Sequence, residues 1–301
     1  MFVIPAPDPI AFSVFNFPIY WYGITMAFAI LVAMLAGNKL YNLTNPSFHQ
    51  DVIIEYAPVL IIAGIIGARL YFCLLNSSYY FANPLQILDI RQGGLSIHGA
   101  IIGGVLAMIW TAKRIKIPIM SIMDSMSCGM LLGQVVGRWG NYFNSEAYGL
   151  PVSGQHWGLF IPEARRVAEY ANYSLFHPTF FYESILNLIG FGLLCYLVLN
   201  FGKKYRGIPF FAYLCVYSLI RFFVEQIRVD SALNIAGNVP IAVLISVILL
   251  VIGVIGIVCT ILQNLRKSNW YMIENGDIGF IMKIWNNLGN HNIDQVYSLI
   301  H

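Results

Sequence analysis

The chain has 301 residues, of which 58% are hydrophobic, 15% aromatic and only 10% charged, and its mean hydropathy is +0.69. This composition is far more apolar than that of an ordinary globular chain and excludes a soluble domain. We expect the protein to lie in a lipid bilayer and to have no nucleic-acid partner. The net charge of +3 adds nothing to this expectation.

Apolar runs of about 20 residues, the length that crosses a bilayer as a helix, recur along the chain. The clearest run, 241–262, contains no charged residue. We predict an all-α polytopic membrane protein, a bundle of about seven transmembrane helices with a head region formed by the long loop 144–177. The predicted spans lie near 19–38, 52–75, 95–112, 120–143, 178–200, 208–227 and 241–262.

The spans are predicted to form one domain, residues 1–263, followed by a tail, residues 264–301, to which the sequence assigns no function. Asp8 is the only charged residue before Lys39, so the positive region of a cleavable signal peptide is missing and the first span is expected to remain. Within the tail, 278–288 is predicted as a short interfacial helix.

Basic residues predict the orientation, because Lys and Arg are retained on the cytoplasmic side. They follow the odd-numbered spans, which places the N-terminus and the loop 144–177 outside and the C-terminal tail in the cytoplasm. The predicted cytoplasmic basic residues are Lys39, Lys113, Arg114, Lys116, Lys203, Lys204, Arg206, Arg266 and Lys267, against Arg91, Arg165, Arg166 and Arg228 on the other side.

Ionisable residues within or beside the spans are the main functional signal. A charge at bilayer depth costs a few kcal/mol and usually faces a polar cavity. The chain has too many of these residues for an inert bundle. They are Arg69, His98, Asp124, Arg138, Glu146, Glu183, Arg221, Glu225 and Arg228.

His98 enters a span after the glycine-rich stretch "RQGGLSIHG". An imidazole is suited to proton transfer near neutral pH, which makes His98 a candidate base, although a lone histidine is also common as a satisfied core residue. The six histidines show no i, i+4 pair, and no Cys or Asp accompanies them at ligand spacing. We therefore expect no metal and no cofactor.

The stretch "GRWGNYFNSEAYG", 137–149, places Arg138, Asn141 and Glu146 close together among glycines. Glycine allows a backbone to approach a ligand, so this segment is a candidate binding element. The alternative is small-residue helix packing, which accounts for the glycines but not for the polar residues among them.

The sixth predicted span carries Tyr217, Arg221, Glu225 and Arg228 at steps of four, four and three, which places them on one helical face. Two arginines share one glutamate, and the surplus positive charge indicates an anionic ligand such as a phosphate, which the planar guanidinium fits. The alternative is a structural ion pair between Arg221 and Glu225.

Taken together, these segments resemble the prolipoprotein diacylglyceryl transferases of bacterial cytoplasmic membranes. The resemblance covers most of the chain up to about residue 263, and segment order, spacing and span count agree. The matching segments are "WYG" at 21–23, "GARL" at 67–70, "GGLSIHG" at 93–99, "GRWGNYFNSEAYG" at 137–149, "HPTFFYE" at 177–183 and "YSLIRFFVEQIR" at 217–228.

The resemblance implies an enzyme that moves the diacylglyceryl group of phosphatidylglycerol to the thiol of the lipobox cysteine of a prolipoprotein. The products are a thioether and glycerol phosphate, and the reaction is the first step of lipoprotein maturation. The head would then be periplasmic. By resemblance the catalytic residues are His98, Arg138, Arg221, Glu225 and Tyr217, and the substrate-binding residues are Tyr22, Arg138, Asn141, Glu146, Gly149 and Arg228.

The chemistry of these residue types is consistent with that reaction. Breaking the C–O bond leaves charge on a phosphate, which Arg138 and Arg221 can stabilise, and a free thiol with a pKa of about 8.5 must lose its proton, for which His98 is the candidate base. The alternatives are a transporter or lipid channel, for which we find no internal repeat, and an intramembrane hydrolase, for which we find no nucleophile motif.

The chain departs from the family pattern at three positions. Tyr142 stands where Phe is common, Ser145 where Gly is common, and Phe180 where Gln is expected. These changes leave the charged residues intact, so we expect them to alter local packing or lipid-head contacts rather than the type of reaction.

Overall fold

The computed structural model describes residues 2–89, 93–229, 234–235 and 239–274. Most of these residues are helical. The described helices are α1 (Trp21–Thr44), α2 (Val52–Glu55), α3 (Ala57–Leu75), α4 (Ser77–Ala82), α5 (Ile97–Arg114), α6 (Ile119–Asn144), α7 (Thr179–Phe201), α8 (Ile208–Glu225) and α9 (Ile241–Glu274), with single 3-10 turns at Pro84–Leu88, Ser153–Gln155, Glu163–Arg165 and Ala168–Tyr170.

A long helix lies at each of the seven predicted spans, which confirms the all-α polytopic architecture. Six of these helices are long and apolar enough to cross a membrane: α1, α3, α6, α7, α8 and the Ile241–Arg266 part of α9. Helix α5 is not among them, because its 18 residues, as many as in α8, include His98 and, in the last turn, Lys113 and Arg114, which lower its mean hydropathy. The count of about seven spans is therefore not confirmed.

Short strands, which the sequence reasoning did not predict, accompany the helices. The described strands are β1 (Phe2–Ile4), β2 (Ile10–Val14), β3 (Phe17–Tyr20), β4 (Trp157–Phe160), β5 (Leu175–Phe176), β6 (Asn234–Ile235) and β7 (Val239–Pro240). β2 and β3 form an antiparallel hairpin just before α1, and β6 pairs with β7.

A small head, defined here as residues 2–4 and 145–178, covers the C-terminal end of α6 and the N-terminal end of α7. Its sheet has the order β1-β4-β5, with β1 parallel to β4 and β5 antiparallel to it. Tyr148, Leu159, Ile161 and Phe176 are buried beneath this sheet together with Phe180 of α7. The packed residues fix the head to the end of the helices, where the candidate site lies.

Helix α6 is central, since it packs against α1, α5, α7 and α8. Helices α3 and α5 pack against each other as a pair. Gly67 and Gly99 meet at their contact so closely that neither position has room for a side-chain carbon. The glycine that follows His98 thus fixes the start of α5 against α3.

Two of the buried charged residues belong to the fold. The Asp124 carboxylate accepts hydrogen bonds from the backbone N–H groups of Gly207 (2.7 Å) and Phe210 (3.0 Å) at the start of α8. The Arg69 guanidinium donates to five backbone carbonyls between residues 86 and 94, at 2.6–3.0 Å. Backbone groups therefore satisfy both charges, and Arg69 also lines a small polar cavity of about 200 Å³ together with Gln86 and Asp89.

The chain divides into a unit ending at Ile257 and a second unit beginning at Val258. In the second unit the described residues continue α9 as far as Glu274. The interfacial helix predicted at 278–288 lies outside the described residues, and the domain boundary at residue 263 stays a prediction.

Candidate active site

Three helices bring charged side chains together at the end of the bundle that carries the head. Arg138 lies in the last turns of α6, Glu183 in the second turn of α7 and Arg221 near the end of α8. Because α7 runs antiparallel to α6 and α8, the C-terminal ends of two helices meet the N-terminal end of the third. Residues more than 80 positions apart thus share one site.

Ion pairs connect five side chains, which we call the arginine–glutamate cluster: Arg138, Glu183, Arg221, Glu225 and Arg228. Arg138 Nη2 contacts Glu183 Oε1, and Arg221 Nη1 lies 3.8 Å from Glu183 Oε2. Arg221 Nη2 is 2.7 Å from Glu225 Oε2, and Arg228 Nη1 is 4.0 Å from the same oxygen. The residues predicted from α6 and α8 are therefore brought together.

Glu183 is the residue that the sequence reasoning missed as part of the site. The sequence marks it only as one ionisable residue in a span, whereas in the structure it links the two arginines and its side chain is only 4% exposed. A signal was present, because Thr179, Glu183 and Asn187 recur every four residues in an otherwise apolar span. The partners of Glu183 lie on other helices, however, and the repeat of polar residues on α7 does not identify them.

Glu183 also bears on the argument from surplus charge. The cluster pairs three arginines with two glutamates, so one positive charge remains, the same surplus that the two arginines and one glutamate predicted on one helical face have by themselves. Glu146, at the edge of the site, supplies a third carboxylate. The site is thus close to neutral without a ligand, as expected for charges in a medium of low dielectric constant.

The pairing alone does not satisfy Arg221. Its side chain is 13% exposed, and Nη1 has no hydrogen-bond partner among the described residues. The ion pair between Arg221 and Glu225, which was the structural alternative, does form. It leaves the buried Nη1 amino group of Arg221 without an acceptor among the described residues, and an oxygen of a ligand can accept from that group.

Asn141 and Glu146 form the edge of the site towards the head. Arg138 Nη1 lies 3.5 Å from Asn141 Oδ1, and Asn141 Nδ2 donates to Glu146 Oε1 at 2.9 Å. The chain turns between them at Ser145, whose φ of 51° is left-handed. Glycine adopts this conformation without strain, which explains its frequency at this position in the family that the sequence resembles.

Gly149 connects the head to the end of α8. It forms an isolated antiparallel bridge with Arg228, and its N–H donates to the carbonyl of His177 at 2.9 Å. A Cβ at this position would lie 2.9 Å from side-chain carbons of His177 and Thr179. Only glycine fits, so Gly149 determines where the backbone of Arg228 runs.

The two predicted tyrosines lie on different sides of the site. Tyr22, at the start of α1, packs its ring against Gly140 of α6 and lines an open groove of 780 Å³ beside the β2–β3 hairpin. Tyr217 lies one turn before Arg221 on α8 and stacks on Tyr213, with ring centroids 6.0 Å apart. Tyr22 is therefore placed towards the groove and Tyr217 towards the interior.

His98 is not in contact with the cluster. It lies in the first turn of α5 with an exposed side chain, and its ring is 6.0 Å from that of Tyr71 on α3. Within the described residues, no hydrogen bond or ion pair connects His98 to the arginine–glutamate cluster. Its assignment as the base stays a prediction.

Two of the three departures from the family pattern are neighbours. The ring of Tyr142 stacks on that of Phe180, with centroids 5.1 Å apart and an interplanar angle of 27°. The Tyr142 hydroxyl donates to the carbonyl of Pro5 at 2.9 Å. These departures therefore change one aromatic contact beneath the head and leave the charged residues unchanged.

Comparison with known proteins agrees with the geometry. The model of the prolipoprotein diacylglyceryl transferase family matches residues 9–259. The phosphatidylglycerol–prolipoprotein diacylglyceryl transferase of Acaryochloris marina is 40% identical over 266 residues, 88% of this chain and 94% of its own length. The enzyme of the same name from Bacillus mycoides is 39% identical over 274 residues, 90% of this chain and 98% of its own length. The chain therefore belongs to the prolipoprotein diacylglyceryl transferase family.

Proposed function

We propose that this protein transfers the diacylglyceryl group of phosphatidylglycerol to the thiol of the lipobox cysteine of prolipoproteins. The observation that carries the proposal is the convergence of Arg138 and Arg221, from two helices, on one space next to the head. Two planar guanidinium groups suit the oxygens of a phosphodiester, and apolar helix faces suit its acyl chains.

In this reaction the thiol sulfur bonds to the glycerol carbon that carries the phosphate. The C–O bond breaks, and its electron pair remains on the oxygen of the departing glycerol phosphate. Arg138 and Arg221 stabilise the charge that develops there, which lowers the barrier because both groups are already oriented. His98 is proposed to accept the thiol proton.

The other predicted residues have supporting roles in this proposal. Glu225 and Tyr217 orient Arg221 from one turn on either side of it along α8. Gly149 fixes the backbone of Arg228, which extends the positive surface. Tyr22, Asn141 and Glu146 lie towards the groove and the head, where the polar part of the lipid is proposed to bind.

The proposed location is the bacterial cytoplasmic membrane, with the N-terminus and head outside and the C-terminus in the cytoplasm. The connections 115–118 and 202–207, which contain four basic residues, lie at the end of the helices opposite the head. Basic residues favour the cytoplasmic side, and this supports the orientation. Residues 1–263 are proposed to carry the activity, and 264–301 form a cytoplasmic tail.

A transfer assay tests the proposal directly. The purified protein is incubated with phosphatidylglycerol that carries deuterated acyl chains and with a peptide containing a lipobox cysteine. We expect the peptide to gain the mass of one deuterated diacylglyceryl group, whereas a matched peptide with serine in place of the cysteine gains none. Folded protein that binds phosphatidylglycerol but leaves the cysteine peptide unchanged would support the transporter alternative.

A further inference from the structure

We infer that Glu183 is an internal substitute for the phosphate of the substrate: it pairs with Arg138 and Arg221, and it moves towards Asn187 when a phosphodiester binds. The inference rests on the proposed function and adds a step to it. It makes Glu183 a positioning residue whose release accompanies substrate binding.

The position of the Glu183 carboxylate is the first argument. One of its oxygens contacts Arg138 and the other faces Arg221 at 3.8 Å, so the carboxylate occupies the space between the two guanidinium groups. The two non-bridging oxygens of a phosphodiester would bind the same donors. A phosphodiester and Glu183 cannot both hold these positions, because their like charges would repel at short range.

Charge balance leads to the same conclusion. The cluster has one net positive charge, and the Glu146 carboxylate lies at its edge. There is thus little unbalanced positive charge to attract an added anion. Arg138 and Arg221 become free to attract an anion only if the carboxylate of Glu183 moves away from them. The other carboxylate, that of Glu225, lies one turn further along α8, and its side chain is only 2% exposed.

The layer beneath the cluster offers a destination for Glu183. Gln134, Asn187 and Tyr217 lie one turn further into the bundle from Arg138, Glu183 and Arg221, respectively. Below them the layer is closed by apolar contacts, since Gly190 lies against Leu131 and Val216. Polar side chains therefore continue below the cluster, and on α7 they reach Asn187, one turn from Glu183.

Asn187 is the residue in that layer that can receive a carboxylate. It is 1% exposed, and neither Nδ2 nor Oδ1 has a hydrogen-bond partner among the described residues. Leaving an amide unpaired in this environment costs free energy. One N–H of Gln134 is already used, since Nε2 donates to the Tyr213 hydroxyl at 3.1 Å. Side chains four residues apart on a helix can meet, so Asn187 Nδ2 is within reach of Glu183.

This exchange has a consequence for turnover. When the substrate phosphate binds, Glu183 leaves the arginines and accepts the hydrogen bond of Asn187. When glycerol phosphate has formed, the carboxylate competes with it for the same two arginines. Glu183 thereby assists product release, which a site of permanently free arginines would slow.

The first test is Glu183→Gln, which keeps the size of the side chain and removes its charge. Binding of sn-glycerol 1-phosphate and of inorganic phosphate to the purified protein is measured by titration calorimetry. We expect affinity to rise at least about tenfold, because a competing charge about 4 Å away is removed. With phosphatidylglycerol, KM and kcat should both fall. Anion affinity that is unchanged or weaker would show that Glu183 is a permanent structural partner and would overturn the inference.

The second test is Asn187→Leu, which decides the question even where Glu183→Gln does not fold. The Asn187 amide has no hydrogen-bond partner among the described residues, so we expect thermal stability to be unchanged or higher. Anion affinity should fall about three- to tenfold, since the displaced carboxylate loses the Asn187 N–H donor. If Asn187→Leu binds both anions as the wild type does, Asn187 does not receive Glu183.

Ser218→Ala is the matched control. Ser218 is also 1% exposed and its hydroxyl also lacks a partner in the described part of the chain. It lies on the face of α8 opposite Val216 and Ile220, which contact Gly190 of α7. Anion affinity should therefore be unchanged, and a loss equal to that of Asn187→Leu would overturn the inference by showing a general packing effect.

The calorimetry separates this inference from the proposed function. If wild-type protein transfers no diacylglyceryl group but Glu183→Gln tightens anion binding and Asn187→Leu weakens it, the internal substitute is correct and the reaction is not. If the transfer occurs but neither variant changes anion affinity, the proposed function holds and the internal substitute is wrong.

Discussion

At the scale of single residues, the partners of a buried charge distinguish its role. Asp124 and Arg69 are satisfied by backbone groups that hold elements of the fold together. Arg138 and Arg221 are paired with side chains, which can rotate away and make room for a ligand. In the sequence both kinds are charges within apolar spans, and only the three-dimensional contacts distinguish them.

Replacing either arginine with lysine tests whether the guanidinium shape is needed. We expect Arg138→Lys and Arg221→Lys each to lose about 2 to 4 kcal/mol of transition-state stabilisation, roughly 30- to 1,000-fold in kcat, although the charge is kept. Affinity for phosphatidylglycerol should fall far less. Kinetics on purified, folded variants provide the measurement.

The controls for this prediction are Lys113→Ala and Lys203→Ala at the opposite end of the helices, and we expect turnover close to that of the wild type. Near-normal turnover in both Arg→Lys variants would mean that the arginines act only as charges that pair helices, and the phosphate-binding mechanism would have to be abandoned.

A variant of His98 tests its assignment as the base. We expect His98→Gln to lower turnover more between pH 6 and 8 than at a pH of about 9.5, because above its pKa of about 8.5 a free thiol ionises without a base. The pH dependence of kcat/KM for both proteins is the measurement. An equal defect at every pH would remove His98 as the base and leave it a structural or lipid-binding role.

At the scale of secondary structure, local patterns predicted more than pairings did. The face of α8 was recognisable because Tyr217, Arg221 and Glu225 repeat within one helix. The role of Glu183 and the three-stranded head sheet could not be recognised from the sequence, because each depends on contacts with distant segments of the chain. Strands of two to five residues are also too short for an alternation of apolar and polar residues to be detected.

Asp124 provides a test that separates an element of the fold from the site. Asp124→Asn leaves one acceptor oxygen for the N–H groups of Gly207 and Phe210, so the start of α8 loses a hydrogen bond. We expect a loss of about 1 kcal/mol in stability and unchanged turnover per folded molecule. Thermal unfolding in detergent and the transfer assay measure the two effects. Reduced turnover with normal stability would instead place Asp124 in the catalytic machinery.

At the scale of the whole molecule, large apolar side chains cover the outward faces of the described helices. Ile62 of α3, Leu106 of α5 and Ile189 of α7 are each 57–65% exposed. Patches of this kind are rare on soluble monomers, and lipid tails are a suitable environment for them. The polar groups are instead collected within the bundle and at its end.

Topology reporters test the proposed orientation of this arrangement. We expect fusions after residue 45 and after residue 205 to report the cytoplasm, and fusions within 150–175 to report the outer side, because the basic connections lie opposite the head. A cytoplasmic signal from 150–175 would reverse the orientation and place the site on the face that exported substrates do not reach.

The pairing of β1 with β4 has a consequence for the order of assembly during synthesis. Phe2 lies opposite Trp157, so the first strand leaves the ribosome about 150 residues before its partner. Closing so long a loop is costly in chain entropy, and the head sheet should form only after the intervening helices have packed. A nascent chain stalled before residue 157 should therefore have inserted helices and an amino-terminal segment that proteases can still cleave.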